Sequence, residues 1–371
     1  MSKVDAQKIK NCLEKMDGKV TMIGDGFVDE VWEIVDTRAG AEDYTIYEQM
    51  NQFGQRIVET GSGGIGLELV KKRPNTFGGL TGNIGYSVAR LGADTTLVGV
   101  FGDNGLDPSF EVVAQLCEVI SVDAPSVTHV FEFGNGKLLM SHMESVLNIN
   151  WDKIVKKAGL EKMKSLIQRS DIIAVGYWSV LPYFDDILEN ICKYLPEDGK
   201  ERRFFYDLAD LKKKELDSLK VTLDLFKRLS EKVPMTLSLN EHEAAVIFGL
   251  FGETLDDSEK PLQVKLDDVR KKLGLDELVV HDPHFGAAAC ADEEPAFVSA
   301  KFCTNVVRSA GAGDNFNGGY IAARLAGLNI TERLHVANAT VGHFIRTGVY
   351  PTVELMIAQM NSTDGEEQNI G

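Results

Sequence analysis

Short apolar, β-branched runs alternate with amphipathic segments along the chain, the rhythm of a sheet with helices on its faces. Val20–Ile23, Thr95–Val100, Asp171–Val175, Phe204–Tyr206, Met235–Ser238 and Leu278–His281 read as strands. Asn83–Leu91, Tyr183–Lys193, Leu216–Lys232, Glu241–Phe248, Val264–Lys272 and Asp314–Leu325 carry apolar residues at helical spacing. Together they predict a mainly parallel, doubly wound α/β sheet.

Two segments break the rhythm. Thr37–Phe77 is long for a connection in a compact domain, and insertions of that kind serve as lids or binding loops. Within 128–144, Val130–Phe133 and Lys137–Met140 flank Gly134-Asn135-Gly136, the pattern of two strands around a tight turn. These pieces predict a small β lid over one end of the sheet. No Pro/Ser-rich linker or internal repeat divides the chain, so residues 1–371 are expected to form one domain, with lid elements near 37–77 and 128–144. The polar tail Asn361–Gly371 is expected to fray.

Composition narrows the function classes. Of the 371 residues 44% are hydrophobic, enough for a continuous buried core. The 56 Asp and Glu outnumber 39 Lys and Arg, giving a formal charge of -17. Such a field repels nucleic acid backbones and anionic membrane surfaces, so neither is an expected partner. A nucleotide remains possible, because backbone amides, a few cations or a bound metal set the local potential. The five cysteines, Cys12, Cys117, Cys192, Cys290 and Cys303, are scattered and never form a Cys-x-x-Cys pair, which fits a reducing compartment. Met1–Met16 lacks the apolar run of a signal peptide, and no later stretch reaches the roughly 18–20 apolar residues that span a bilayer. A cytoplasmic location is the expectation.

The segment richest in chemistry is Val306-Val307-Arg308-Ser309-Ala310-Gly311-Ala312-Gly313-Asp314-Asn315-Phe316-Asn317-Gly318-Gly319-Tyr320. Glycines 311 and 313 let the backbone turn closely against a ligand, and the ensuing helix aims its free N–H groups at that turn. The result is an anion hole with a carboxylate beside it, placed to take the proton of an incoming alcohol. Read alone, the same string is also an ordinary glycine turn with Asp near a helix start.

These residues resemble the carboxy-terminal signature of the ribokinase-like, or phosphofructokinase-B, carbohydrate kinases, where Gly-Ala-Gly-Asp is followed by Phe and Gly at set spacing. The resemblance implies a ribokinase-like three-layer α/β/α sandwich, Asp314 as catalytic base, and the amides of Gly311, Ala312 and Gly313 as the hole for charge developing on a transferred phosphoryl group. Further matches occur in the family's order. Gly78-Gly79-Leu80-Thr81-Gly82-Asn83 resembles its Gly-Gly-x-x-x-Asn element, and an Ala-Arg-Leu-Gly ending at Gly92 and the strand Leu97-Val98-Gly99 come next. Gly24 and Asp29 match its Gly-x-x-x-x-Asp, which implies that Asp29, with Gly78, Gly79 and Asn83, meets substrate hydroxyls; outside that context Asp29 reads as a solvated loop acid. Asn240-Glu241-His242-Glu243 resembles the Asn-x-x-Glu element that organises Mg2+ and nucleotide phosphates, with Glu243 acting on the metal indirectly. Locally the same two residues are a helix cap and a dipole partner. Ala337-Asn338-Ala339, with Arg346-Thr347-Gly348 downstream, resembles the closing helix whose Asn faces the adenine pocket. The resemblance runs from about Val20 to about Pro351 and leaves the region around Thr37–Phe77 unmatched.

Departures from the pattern carry expectations of their own. Arg308-Ser309 stands where the family commonly has Asp-Thr, whose Asp helps form a monovalent-cation site in potassium-activated relatives. A guanidinium is itself a cation, so Arg308 is expected to replace the ion. His281-Asp282-Pro283 stands in place of a Thr-x-Gly near the nucleotide phosphates, and His281 is counted with Asn240, Glu243 and Asn338 as nucleotide-binding. Asn104 and Asp107 alter the Asp-x-x-Gly that comes after Gly102. Gly61–Gly66 contains a Gly-x-Gly-x-x-Gly, but no buried strand precedes it and the short run Leu67–Arg73 beyond it ends at Pro74, so a loop is expected rather than a dinucleotide site. His281 and His284 lack a third metal ligand of obvious type. Tyr177 and Trp178 fit a substrate cleft or the core.

The favoured function is Mg2+- and ATP-dependent phosphorylation of a hydroxyl on a sugar or related polyol. An ADP-dependent sugar kinase, a nucleoside kinase of the same fold and a catalytically silent sugar-binding regulator are the alternatives. Retention of Asp314 argues against the last, because a silent site needs no base. Lid strands such as Phe131–Phe133 could also pair into a homodimer.

Overall fold

The structure is a computed structural model describing residues 4–256 and 258–363. The end of the polar tail, with the expectation that it frays, lies outside the described residues. Strands are numbered in chain order and fall into two sheets. The larger holds β1 (Lys19–Gly24), β6 (Asp94–Val100), β7 (Glu118–Asp123), β10 (Ile172–Gly176), β11 (Arg203–Asp207), β12 (Met235–Asn240), β13 (Glu277–Asp282), β14 (Phe285–Cys290) and β15 (Glu293–Ser299). Its order is β15-β14-β13-β12-β11-β10-β1-β6-β7. All neighbours from β7 to β13 are parallel, and only the pairings β13–β14 and β14–β15 are antiparallel.

The strands expected from sequence coincide with the middle of this sheet because their residues are buried on both faces. In β10 and β11 every residue is buried. Successive side chains of a strand point to opposite faces. Ile23, Ile173, Val175, Phe204 and Tyr206 therefore join one core, while Met22, Ile172, Ala174 and Phe205 join the other. Helices cover both faces, which makes the three-layer α/β/α sandwich. Each fully buried Leu, Ile or Phe side chain contributes roughly 1.5–3 kcal/mol to holding the layers together.

The topology also locates a crevice. From β1 the chain builds outward through β6 and β7 on one side and through β10 to β13 on the other. A parallel sheet that reverses direction in this way leaves an opening beyond the carboxyl ends of the strands, where connections diverge. Asp25, Tyr177, Asp207, Asn240 and His281 all stand at or just past those ends.

The second sheet holds β2 (Phe27–Arg38), β3 (Tyr44–Ile46), β4 (Leu69–Lys71), β5 (Thr76–Gly78), β8 (Ser126–Phe133) and β9 (Gly136–His142). Both irregular segments of the sequence contribute to it, but β2 begins at Phe27, well before the expected boundary at Thr37. Acidic residues interleaved with Val28, Val31 and Ile34 disguise a strand whose apolar side chains are buried. The inserted helix Met50–Thr60 packs Phe53, with Tyr47, against Ile34 and Phe131, so one face of this sheet is covered by the chain itself. Gly61–Gly66 comes after that helix and opens none. Among the described residues no helix is long and apolar enough to cross a membrane.

Candidate active site

Asp314 lies in the first turn of the helix Ala312–Leu325, entered through Gly311 at φ 86°. That left-handed conformation suits glycine, and it swings the helix start toward the crevice. The carboxylate is 6% exposed. Its two oxygens accept from Asn83 Nδ2 at 2.7 Å and from the Tyr177 hydroxyl at 3.0 Å. Burial above all, then the charge of Asp207, pushes the Asp314 carboxyl up to about 7, against the pull of these two donors. A base poised near neutrality can take a proton from an alcohol and release it afterwards.

The glycine turn behaves only partly as expected. The Ala312 amide donates to Ser309 O at 3.1 Å and is occupied within the turn. Gly313 and Asp314 occupy the first helical turn, where the helix offers their amides no acceptor, so their N–H groups remain available to an anion. A side chain at Gly313 would meet the His281 imidazole at 3.1 Å.

Two cavities adjoin this turn. One, of about 490 Å³, is lined largely by apolar groups including Phe302, Val306, Val341 and Ile345, with Asn338 at its wall. Asn338 Nδ2 donates to Val298 O at 3.2 Å, which fixes the amide there. The other, of about 510 Å³, is mainly acidic: Asp207, Asp210, Glu243 and Asp314 face it, with Lys212 at its wall. His281 borders both. Its Nε2 is buried without a hydrogen-bond partner among the described residues, and burial pushes its pKa down to about 4, so the ring is neutral.

Asn240 and Glu243 form a reciprocal cap on the helix Glu241–Leu250. Asn240 N and Nδ2 donate to the Glu243 carboxylate at 2.9 and 2.7 Å, and Asn240 Oδ1 accepts from Glu243 N at 3.0 Å. Burial, then the charge of Asp207, pushes Glu243 upward; burial likewise pushes Asp207 upward. Asp207 is itself held by Ala209 N at 2.9 Å and by Asn317 Nδ2 at 2.8 Å, one turn beyond Asp314 on the same helix. Two buried carboxylates that repel each other across an open cavity suit a divalent cation, which would stabilise both charged forms. Mg2+ therefore fits the donor set.

The remaining sequence candidates gather on the other side of Asp314. Asp29 on β2 is half-buried, and a side chain at Gly78 would lie 2.7 Å from its Oδ1. Gly79, at φ 85°, would set a side chain 2.5 Å from Asp25 Oδ2. Asp25 accepts from Leu80 N, Thr81 N and Thr81 Oγ1 at 2.8 to 2.9 Å, so it caps the helix Leu80–Arg90 that carries Asn83. Asn83 is engaged at both ends, donating to Asp314 and accepting from the Tyr350 hydroxyl at 2.7 Å. Both ends of its carboxamide are therefore occupied within the protein. Arg308 lays its guanidinium over the rings of Phe344 and Tyr350, 5.0 and 5.7 Å from their centroids, and its charge acts on Asp29.

A model of the prokaryotic ketohexokinase family matches residues 3–362. The chain belongs to this family. It is 27% identical over 347 residues to the ketohexokinase of Haloferax volcanii, covering 92% of this chain and 90% of that one. Among solved structures, Arabidopsis thaliana ribokinase complexed with ribose and ATP superposes with a TM-score of 0.60 at 16% identity, over 94% of this chain and all of that one. The nucleoside kinase of Methanocaldococcus jannaschii gives 0.57 at 13% identity, over 93% and 98%. An Escherichia coli ribokinase II candidate in complex with ATP and Mg2+ gives 0.63 at 14%, over 92% and 99%. The fold is thus ribokinase-like, and this ketohexokinase-family chain is a sugar kinase, a phosphotransferase with an alcohol as acceptor.

Three residues of this site, Asp25, Asp207 and Asn317, escaped sequence reasoning as functional groups, and a fourth, Tyr177, fits cleft or core alike by sequence. Tyr177 touches the Asp314 carboxylate, while its neighbour Trp178 is core, donating Nε1 to Thr222 Oγ1. Asp25 is hidden among the unspecified positions of Gly24-x-x-x-x-Asp29, although an acid directly after an apolar strand is a signal. Asp207 offers the same signal at the end of β11. Asn317 sits three residues past Asp314, a spacing that places both on one helix face. His284 stacks on Phe302, 4.5 Å between centroids.

Proposed function

We propose that this protein transfers the terminal phosphoryl group of ATP to a hydroxyl of a ketohexose, with Asp314 as the base. The observation that carries the reading is the Asp314 carboxylate, buried, fixed by Asn83 and Tyr177, and pushed to about 7 on the turn that opens a helix. Asp314 takes the hydroxyl proton as the hydroxyl oxygen bonds to the terminal phosphorus. The bond to the bridging oxygen breaks, and its electron pair leaves with ADP. The amides of Gly313 and Asp314 face the charge on the equatorial oxygens, with Gly311 giving the turn its shape. Mg2+, held by Glu243 and Asp207, would neutralise phosphate charge. The apolar cavity beside Asn338 and Phe302 suits an adenine, and the unpartnered Nε2 of neutral His281 suits a phosphate oxygen, taking the place of the family's Thr.

Asp29, freed from crowding by Gly78, would accept from acceptor hydroxyls, and the second sheet that carries it would act as a lid excluding water. The family name and the Haloferax volcanii relative favour a ketohexose over other polyols. The test is a phosphorylation screen of D-fructose, other hexoses, ribose and nucleosides with MgATP and MgADP in parallel. D-fructose with ATP is expected to give the highest kcat/KM. Preference for ADP would move the donor, and preference for a nucleoside would move the acceptor.

A further inference from the structure

Lys137 is the second residue of β9, in register with Glu132 of β8. Glu132 does not hold it: that carboxylate is bound by both Arg73 Nη atoms, at 2.7 and 3.1 Å, and by Lys72 at 3.3 Å. The Lys137 ammonium instead reaches the loop that leads into the helix Ala312–Leu325, donating to Ser309 Oγ at 3.1 Å. Ser309 is two residues before Gly311 and borders both cavities. Lys137 alternates on its strand so as to share a face with Asp29 of β2, the face opposite the one that Phe53 and Phe131 cover. Among the described residues neither Lys137 nor Arg308 has a carboxylate oxygen within ion-pair distance. The charges of Glu132 and Asp29 reach the ammonium, but its one hydrogen bond is to the exposed Ser309 hydroxyl beside the glycine turn, which leaves it open to an anion entering there.

We infer that Lys137 is a catalytic residue, a cation carried by the second sheet onto the oxygens of the phosphoryl group in transit. The inference rests on Asp314 serving as the base of a sugar kinase. In the transfer Lys137 keeps its three protons: the alcohol proton goes to Asp314, the new O–P bond forms, and the departing diphosphate carries off the electron pair of the broken one. Lys137 meets the negative charge on the three peripheral oxygens, and the Ser309 hydroxyl holds its place until the nucleotide enters. An ammonium brought by a separate sheet also ties catalysis to closure, since the charge arrives only when β9 lies against the anion-hole loop.

The experiment compares wild type, Lys137→Met and Lys137→Arg with MgATP and D-fructose, or the member of the screen that wild type uses best. Lys137→Met should lower kcat about 10²–10³-fold, the scale of losing one charge-stabilising donor, with the acceptor KM changed less than about threefold. Lys137→Arg should restore at least a tenth of wild-type turnover. Binding of MgADP with aluminium fluoride and acceptor, a mimic of the phosphoryl in transit, should weaken in Lys137→Met by a factor comparable to the loss in kcat. A purely structural role would not produce that last effect. Unchanged kcat in Lys137→Met overturns the inference, as does a raised acceptor KM with normal kcat, which would make Lys137 a sugar-holding group. A wild type that phosphorylates nothing in the screen removes the kinase reading and this inference with it, an outcome visible before any variant is compared.

Discussion

The large sheet holds buried carboxylates at both ends of its strands, and the two ends treat them in opposite ways. At the amino end of β13, Glu277 is completely buried. One of its oxygens accepts from Tyr320 at 2.7 Å, from Arg324 at 3.1 Å and from Arg333; the other accepts from Thr236 at 2.6 Å, with Arg203 at 3.7 Å. Burial alone would raise its pKa, but the three guanidinium groups and Thr236 hold it below the usual carboxylate range. At the carboxyl end Asp25, Asp207, Glu243 and Asp314 are also buried, three of them beside an open cavity, and have no ion-pair partner among the described residues, and all four are pushed upward. The first cluster is complete as it stands. The second has no ion pair of its own, which is what the proposed metal, the proposed cation of the other sheet and the proton of an alcohol would each offset.

The largest effect that tests this contrast is on turnover. Asp314→Asn keeps the size of the group and its two contacts, since a carboxamide oxygen can accept from Asn83 while its nitrogen donates to the Tyr177 oxygen. What disappears is the group proposed to take the proton. Turnover with MgATP and the best acceptor should fall about 10²–10⁴-fold, the usual worth of a general base, while nucleotide binding measured by calorimetry stays within about threefold. If turnover is unchanged, the two clusters differ only in their electrostatics.

At the amino end the same kind of change should spare activity and strike the fold. Glu277→Gln leaves Arg203, Arg324 and Arg333 crowded without their shared counter-charge, and removing one side of a buried ion network costs about 3–5 kcal/mol. Urea unfolding should show that loss, with kcat of the folded fraction near wild type. A mild effect on stability would mean that water reaches the cluster and that the contrast between the two ends is smaller than the geometry suggests.

The sequence made these two ends unequally legible. β1, β6, β10, β11, β12 and β13 stood out because strands buried on both faces are apolar throughout, and the helices between them kept their period. β14 did not stand out: Ala287, Ala288 and Ala289 are fully buried in it, but small residues carry no β signal. β7 and β2 were masked by acids. The glycine turn at 311–313 was readable because close backbone approach demands specific residues in a short span. Asp25, Tyr177, Asp207 and Lys137 are common residues whose partners lie 56, 137, 110 and 172 positions away in the chain. Only the folded topology makes neighbours of them, so a site assembled from strand ends is visible in sequence mainly where the backbone itself is constrained.

The smallest effect is on stability against pH, and it has opposite signs at the two ends. Asp25 and Asp314 titrate near 6 and 7 in the fold against 3.8 for an ordinary Asp. The folded state therefore holds protons that the unfolded chain releases. Their contribution to stability is complete below about 3.8 and is lost as pH rises through 6 to 7. Glu277 runs the other way: its contribution is present above 4.5, its ordinary value, and is lost as pH falls through its depressed pKa. Between pH 5 and pH 8 the carboxyl-end cluster should dominate, so the metal-free protein should lose stability on going alkaline. At pH 5 Asp314 is protonated in the fold while the unfolded chain has already ionised it, so Asp314→Asn should gain less stability over wild type there than at higher pH. At pH 8 the variant escapes an ionised, unpaired buried carboxylate and should be more stable by on the order of 1–3 kcal/mol, since a pKa unit corresponds to about 1.4 kcal/mol and water entering the cleft reduces the cost. Equal stability at both pH values would mean that Asp314 ionises freely in the fold, and the base would then have to owe its activity to position alone.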